Sequence, residues 1–312
     1  MHRGIYHFLA FATATIWGTT FVWTKLLIQS GLTPAQIFFL RFVVAYLLLL
    51  GFSLMFSGKH HKWVCRSLTD ELVMLGLGIT GGSLYFLTEN ESLVYTTATN
   101  TSLILCSCPM FSMLVVSLFY KSQRINKVQI LGSVFALFGM IIVVLNGHFV
   151  LHLAPVGDAL AFAACLCWAF YSLLIIRVNK RYSAMFITRK VFFYGILTIL
   201  PYFAFGHLLP VGDGFGCEPL LPPADMLFRP VVISNLLFLG CIASMACFLV
   251  WNVCIKGLGV VECTNWVYVN PIATIVFAHF ILGEQITIYF ILGSALILTG
   301  LYLSDKKGKV YR

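Results

Sequence analysis

Residues 102–120 read SLILCSCPMFSMLVVSLFY, a run with no Asp, Glu, Lys or Arg that is apolar on nearly every face. A transmembrane barrel strand alternates apolar and polar residues over about ten positions, and this run does not. In hydrocarbon, only a helix satisfies its own backbone when every face is apolar. The run is therefore predicted to be a membrane-spanning helix.

Stretches free of those four residue types recur along the chain, at 4–24, 42–58, 72–88, 92–120, 128–157, 159–176, 191–212, 230–255, 263–283 and 285–304. Each is about the ~20 residues that a spanning helix needs. The 312-residue chain is 60% hydrophobic and only 10% charged, whereas soluble domains are usually near 25% charged. Ten such helices use roughly 200 positions, which leaves short connections and no room for a soluble catalytic domain. The expectation is an all-α polytopic membrane protein with ten transmembrane helices. The first stretch starts beside His2 and Arg3, as a secretory signal would. It is too long for a signal core, carries Trp17 and Lys25, and lacks a small-residue cleavage site, so it is read as a retained helix.

The net charge of +9 is explained by its distribution. With the N-terminus in the cytoplasm, the inner loops hold Lys59, Lys62, Arg66, Lys121, Arg124, Lys127, Arg177, Lys180, Arg181, Arg189, Lys190 and Lys256. The tails add Arg3, Lys306, Lys307, Lys309 and Arg312. Outside there is Arg229, while Lys25 and Arg41 fall within spans 1 and 2. This asymmetry is the positive-inside pattern. It predicts a multi-pass plasma (inner) membrane protein with both termini cytoplasmic, and needs no nucleic-acid partner. The ten cysteines form no disulfide framework: Cys106 and Cys108, like Cys165 and Cys167, are two apart on a helix and point to different faces. No four ligands converge for zinc, so no metal is expected. Cys217, in the outer loop 209–230, is the one placed to meet an oxidising compartment.

The two halves of the chain resemble each other. Leu9-Ala10-Phe11-Ala12 followed by Trp17 recurs as Leu160-Ala161-Phe162-Ala163 followed by Trp168, an offset of 151. Phe86-Leu87 with Asn90 recurs as Phe248-Leu249 with Asn252, and Pro109 as Pro271, both at 162. Ile130-Leu131-Gly132-Ser133 with Gly139 recurs as Ile291-Leu292-Gly293-Ser294 with Gly300, at 161. Five spans per half put the second half into the membrane upside down. Inverted repeats can exchange conformations, so that a cavity between them opens alternately to either side.

Trp17-Gly18-Thr19-Thr20-Phe21-Val22 leading to Lys25, then Pro34 and Arg41-Phe42, resembles the opening of the EamA-type drug/metabolite transporters. Asn270-Pro271, Gly283-Glu284, Gly293 and Gly300 are similar to the end of their second repeat, and the resemblance covers essentially the whole chain. The first half departs from the pattern with Ser122-Gln123 where the second has Gly283-Glu284. The resemblance implies a central cavity lined by helices 1, 3, 4, 6, 8 and 9 and movement of small metabolites. It divides the chain into a first repeat at 1–147, an external linker at 148–156, a second repeat at 157–305 and a basic cytoplasmic tail at 306–312.

Ionisable residues inside a membrane are costly and are functional candidates by default. Lys25, Arg41, Glu89 and Glu91 fall in the outer third of the bilayer, where they form either a structural ion-pair cluster or a coupling site. Glu89 lies one turn past Tyr85 and beside Asn90, placed to carry a proton in a coupled cycle or to face an amine. In span 9, Glu262, Asn265, Trp266 and Asn270 are expected on one face, with Pro271 leaving the carbonyl of Val267 free. Pro109 is expected to do the same to Leu105. Trp17, Thr20, Trp168, Tyr171, Trp251 and Asn252 complete the cavity candidates. Aromatic walls with a few amides suit a neutral or zwitterionic metabolite. A sugar phosphate would need Lys or Arg converging at mid-depth, and Lys25, Arg41 and Lys190 lie nearer the surfaces. On aligning spans 2 and 7, Lys190 falls opposite Arg41. Gly132 and Gly139, Gly293 and Gly300, and Gly78 with Gly82 are read as close-packing positions, which leave homodimerisation open.

No His-Glu-x-x-His, Gly-x-Ser-x-Gly or Walker loop is present. Histidines such as His60, His61, His148 and His152 are scattered in loops, and Asp158 and Asp213 sit at a helix end and in a loop. The chain is therefore read as no enzyme and as needing no cofactor. It is expected to be a secondary or facilitative transporter working by alternating access, with amino acids or related amphipathic solutes as the leading substrate class. A channel-like pore and a non-transporting membrane scaffold or sensor are the rival readings.

Overall fold

A computed structural model describes residues 2–57, 63–95, 101, 104–120, 127–145, 154–205, 219–273, 276–277 and 287–305. Ser122-Gln123, Gly283-Glu284, the histidines at 60, 61, 148 and 152, Asp213, Cys217, most of the 148–156 linker and the tail lie outside the described residues. Among the described residues every regular element is helical. The helices are α1 (Arg3–Gln29), α2 (Pro34–Ser57), α3 (Leu68–Tyr95), α4 (Cys108–Phe119), α5 (Lys127–Leu145), α6 (Pro155–Asn179), α7 (Ala184–Phe205), α8 (Pro230–Leu258), α9 (Val260–Asn265) and α10 (Ile288–Asp305). Six of these, α1, α2, α3, α6, α7 and α8, are long and apolar enough to cross a membrane. α4, α5 and α10 are shorter apolar helices. Large apolar side chains such as Met55, Leu118, Phe138 and Phe205 stand exposed, an arrangement suited to lipid rather than water.

Polar residues mark the helix starts. Thr33 and Gln36 form a reciprocal capping box at α2, each side chain accepting the other's backbone N–H at 3.2 Å. Ser183 caps α7 through the Phe186 N–H, and Ser67 caps α3 through the Asp70 N–H. These caps fix the register between α2 and α7: Pro34 corresponds to Ala184, an offset of 150. Arg41 therefore corresponds to Val191, and Lys190 falls opposite Leu40. The sequence alignment that set Lys190 against Arg41 was one residue out, because side-chain similarity alone did not fix the helix start.

The repetition extends to backbone irregularities. α3 carries a π-helical stretch at Ile79–Ser83 and α8 one at Phe238–Ala246, and the offset of 162 maps the first inside the second. Each is a place where another helix comes close. A Cβ on Gly240 would lie 2.7 Å from Val44 Cγ1, and one on Gly78 would overlap Tyr194. Gly78 and Gly240 are 162 apart, and Val44 and Tyr194 are 150 apart, so both halves make the same contact. π-Bulges are common at functional positions in helices.

Pro109 follows a break in the chain and Pro271 a tightened turn, whereas Pro201 sits inside α7. Before Pro109 the chain turns at Cys106–Ser107, with the Ser107 N–H donating to Ile104 O at 3.0 Å. Pro109 then occupies the first turn of α4, where a missing N–H costs nothing. In the second half Trp266–Val269 tighten into a 3₁₀ turn ahead of Pro271. The Val267 carbonyl is not left free as expected: the Asn270 N–H bonds to it, because a 3₁₀ turn pairs residues three apart.

α5 and α10 pack backbone to backbone. A Cβ on Gly139 would sit 2.6 Å from the Gly293 carbonyl oxygen, and one on Gly300 would sit 2.5 Å from that of Gly132. The glycine faces thus meet each other within one chain. The large cluster uniting α2, α3, α6, α7 and α8 contains Phe38, Phe42, Phe192, Phe248, Trp251 and Tyr171.

Candidate functional site

Between the halves lies a cavity lined by Trp17, Thr20 and Phe21 of α1, Arg41 of α2, Tyr85, Phe86 and Glu89 of α3, and Trp168 of α6. Leu105, Cys106 and Cys108 around the first break, Phe248 of α8, and Val267 and Asn270 around the second break complete it. The cavity has a volume of about 60 Å³. The space is therefore narrow. The helices are those that the resemblance implies, with Arg41 added from α2.

Aromatic rings build the walls. Trp17 meets Trp168 edge-on at 5.8 Å and Phe248 at 5.5 Å, and Tyr85 packs on Trp168 at 5.3 Å. Such contacts add to burial and hold the rings in fixed orientations. Gly18 brings α1 onto the second break, since a Cβ there would lie 2.5 Å from the Asn270 carbonyl oxygen.

Two opposite charges enter this apolar shell. Arg41 is 2% exposed; its Nε donates to Ser244 Oγ at 2.9 Å and its guanidinium carbon lies 4.5 Å from the Phe86 ring centroid. Glu89 is 7% exposed and lines the same cavity as Arg41. Arg41 thus lies deeper than its sequence position suggested, in the wall of the cavity. By the offset of 150 its counterpart is Val191, and by the offset of 162 that of Glu89 is Trp251. Both charges come from one repeat.

The other sequence candidates are placed differently. Asn90 donates to the Pro34 carbonyl at 3.4 Å. Tyr171 donates to Asn252 Oδ1 at 2.9 Å, and Asn252 Nδ2 to Thr188 Oγ1 at 2.8 Å, which ties α6, α7 and α8 together behind the wall. Trp251 packs behind Trp17 with the rings tilted and their centroids 4.9 Å apart. Tyr202 donates to Glu91 Oε1 at 3.3 Å, and Lys25 is exposed. The four charges therefore do not form one cluster. Asn265 and Trp266 face a separate pocket with His7, Glu262 and Tyr302; Trp266 Nε1 donates to His7 Nδ1 at 3.2 Å, and Arg3 pairs with Glu262. Asn270 is the residue of that set that reaches the central cavity. A 3₁₀ turn advances about 120° per residue against about 100° in an α-helix. Four residues of it turn the following chain by roughly 80°.

At the end of the bundle where α3 begins, sequence reasoning passed over a polar cluster. Asp70 accepts from Arg181 Nη1 at 2.9 Å and from the Tyr182 hydroxyl at 2.8 Å. Glu71 pairs with Lys190, takes the Tyr194 hydroxyl, and accepts the Cys65 N–H at 2.7 Å. Burial, then the Glu71 carboxylate, push the Cys65 thiol up to about 12. Only the thiolate is nucleophilic, so maleimide labelling of Cys65 should rise about tenfold per pH unit through pH 10 without levelling off. A plateau near pH 9 would show an ordinary thiol.

A multi-pass helical bundle around an aromatic cavity that holds both charges is the architecture of a small-solute transporter. The chain belongs to the EamA-like transporter family, which matches residues 4–145 and again 155–304. It is 25% identical over 304 residues to an uncharacterized transporter of Archaeoglobus fulgidus, covering 96% of this chain and 97% of that one. It is 22% identical over 304 residues to a probable amino-acid metabolite efflux pump of Escherichia coli, covering 95% and 93%. A solved crystal structure superposes with a TM-score of 0.72 at 18% identity, over 97% of this chain and 98% of that one, and so shares the fold.

Proposed function

We propose that the protein is a secondary transporter for amino acids or related zwitterionic metabolites, crossing the inner membrane ten times as two inverted five-helix repeats with both termini cytoplasmic. The observation that carries the reading is that Arg41 and Glu89 line one and the same aromatic cavity. A zwitterion offers a carboxylate to the guanidinium and an ammonium to the carboxylate, while its side chain meets the rings. A dianionic sugar phosphate would face Glu89 with Arg41 as the one cation in the cavity wall among the described residues. The broken α4 and α9 segments and the paired π-bulges are flexible points about which the halves can rock. The efflux-pump relative supports the substrate class.

The test is uptake into proteoliposomes of aromatic and aliphatic amino acids, a purine, a cationic drug and a sugar phosphate, with and without a pH gradient. The expected result is saturable flux of an amino acid, with any gradient dependence abolished in Glu89→Gln. Flux of the sugar phosphate alone would overturn the substrate class, and gradient dependence that survives Glu89→Gln would remove that carboxylate from coupling.

A further inference from the structure

We propose that the indole N–H of Trp168 is a second donor, beside Arg41, to the carboxylate of the transported solute, whereas its repeat-mate Trp17 is a structural strut. The proposal rests on the transporter reading above and goes beyond it by assigning opposite roles to two residues that the repeat makes equivalent.

Trp17 and Trp168 are 151 apart in sequence and meet edge-on in the cavity wall. Trp17 Nε1 donates at 2.9 Å to the carbonyl oxygen of Ala243, within the π-helical stretch of α8. The same bond in the other half would run from Trp168 to the carbonyl of Gly81, the residue 162 before Ala243, within the π-helical stretch of α3. That bond is not made: Trp168 Nε1 is buried and has no hydrogen-bond partner among the described residues.

The reason lies one turn along each helix. Position 20 in the first half is a threonine, whose hydroxyl folds back onto the Trp17 carbonyl at 2.7 Å. Its counterpart is Tyr171, whose ring lies so close over Gly81 that a Cβ there would overlap it. Tyr171 also stacks on the Trp168 ring at 5.1 Å and is anchored by its hydroxyl to Asn252. Tyr171 therefore covers the Gly81 backbone and holds the Trp168 ring away from it, against the cavity.

A buried donor that has lost its internal acceptor incurs the full cost of its desolvation, and the cavity is where an acceptor can reach it. Trp168 is 5% exposed and lines that cavity together with Arg41. An indole N–H donates and never accepts, so it selects a carboxylate or carbonyl oxygen and cannot serve an ammonium. A charged acceptor forms the stronger bond.

The test uses the full chain in nanodiscs, labelled with ¹⁵N at the indole nitrogens of its six tryptophans, with resonances assigned through Trp→Phe variants. The probes are L-phenylalanine and phenethylamine, which share a ring and an amine and differ in the carboxylate. Binding is read separately by thermal shift. The expected result is that the Trp168 N–H exchanges with D₂O at least about tenfold faster than that of Trp17 and shifts with L-phenylalanine but not with phenethylamine. Trp168→Phe should weaken L-phenylalanine binding about tenfold, as expected for one hydrogen bond to a charged group, and change phenethylamine binding less than about twofold. Trp17→Phe should instead lower the melting temperature and preserve the ratio between the probes. A Trp168 resonance as protected as that of Trp17, or one that does not move when L-phenylalanine binds, overturns the proposal. If neither probe binds, the amino-acid reading fails on its own, and the exchange contrast alone decides between the roles of the two tryptophans.

Discussion

Arg41→Met is expected to destabilise the folded protein by about 3 kcal/mol, and adding Glu89→Gln to the same molecule is expected to restore most of that loss. The single change leaves a carboxylate inside an aromatic shell without the cation that faces it. It also strands the Ser244 hydroxyl and the face of Phe86, which Arg41 covers. A lone buried charge is the expensive species, whereas a pair of neutral side chains of similar volume is tolerated. The check is thermal unfolding of the wild type, both single variants and the double variant in nanodiscs. Melting temperatures that simply add would show that the two charges are independent. Transport should be lost in Arg41→Met and in the stable double variant, which separates a role in binding from a role in folding.

The second large effect belongs to the glycine contact between α5 and α10. Gly139→Leu and Gly300→Leu should each abolish recovery of folded protein. In both cases the first added carbon meets a facing backbone carbonyl oxygen at 2.5–2.6 Å, and a backbone cannot swing aside as a flexible side chain does. Overpacking usually costs about 1–3 kcal/mol even where side chains can adjust. Gly51→Ala is the control: a Cβ there meets nothing within 4 Å, and exchanging a helical glycine for alanine should stabilise by about 0.5–1 kcal/mol. Size-exclusion profiles and melting temperatures read all three. A Gly300→Leu protein that elutes and melts like the wild type would mean that α5 and α10 are not in backbone contact.

The helical architecture was legible because it depends on long-range composition, but the run 102–120 is not the single spanning helix expected of it: the chain turns at Cys106–Ser107 and only Cys108–Phe119 continues as a helix. The pairing of the halves was legible from short matches such as Phe86-Leu87 and Phe248-Leu249. Irregular backbone was not. Nothing in Ile79–Ser83 signals a π-helical turn except the glycines at 81 and 82. The 3₁₀ turn at Trp266–Val269 undid a helical wheel that placed Glu262, Asn265 and Trp266 with Asn270. Pro271 marked the break but not the direction in which the chain would turn after it.

At the site, Trp17, Thr20, Tyr85, Glu89, Trp168 and Asn270 come together at the cavity, whereas Asn90, Tyr171, Trp251 and Asn252 stand behind its wall or support it. A polar or aromatic residue near mid-span can face the cavity or a neighbouring helix, and sequence periodicity does not separate two buried faces. Arg41 was judged by its distance from the helix start, but its side chain reaches Ser244 in α8. Phe21, Phe86, Leu105 and Phe248 were passed over as ordinary apolar residues, since nothing in their type distinguishes a cavity wall from a core. The chemically distinctive features of the cavity are departures from the repeat: Arg41 against Val191, Glu89 against Trp251, and Thr20 against Tyr171. Comparing the halves for differences, once the caps had fixed their register, is the signal that would have found them.

The most direct test of transport through this cavity is counterflow. Proteoliposomes loaded with unlabelled L-phenylalanine are diluted into a trace of labelled L-phenylalanine, and the internal label is followed with time. A carrier that alternates between the two sides predicts transient accumulation of label above the external concentration, absent in Arg41→Met/Glu89→Gln. Label that rises only to equilibrium, at a rate indifferent to the internal load, would contradict alternating access and point to a pore.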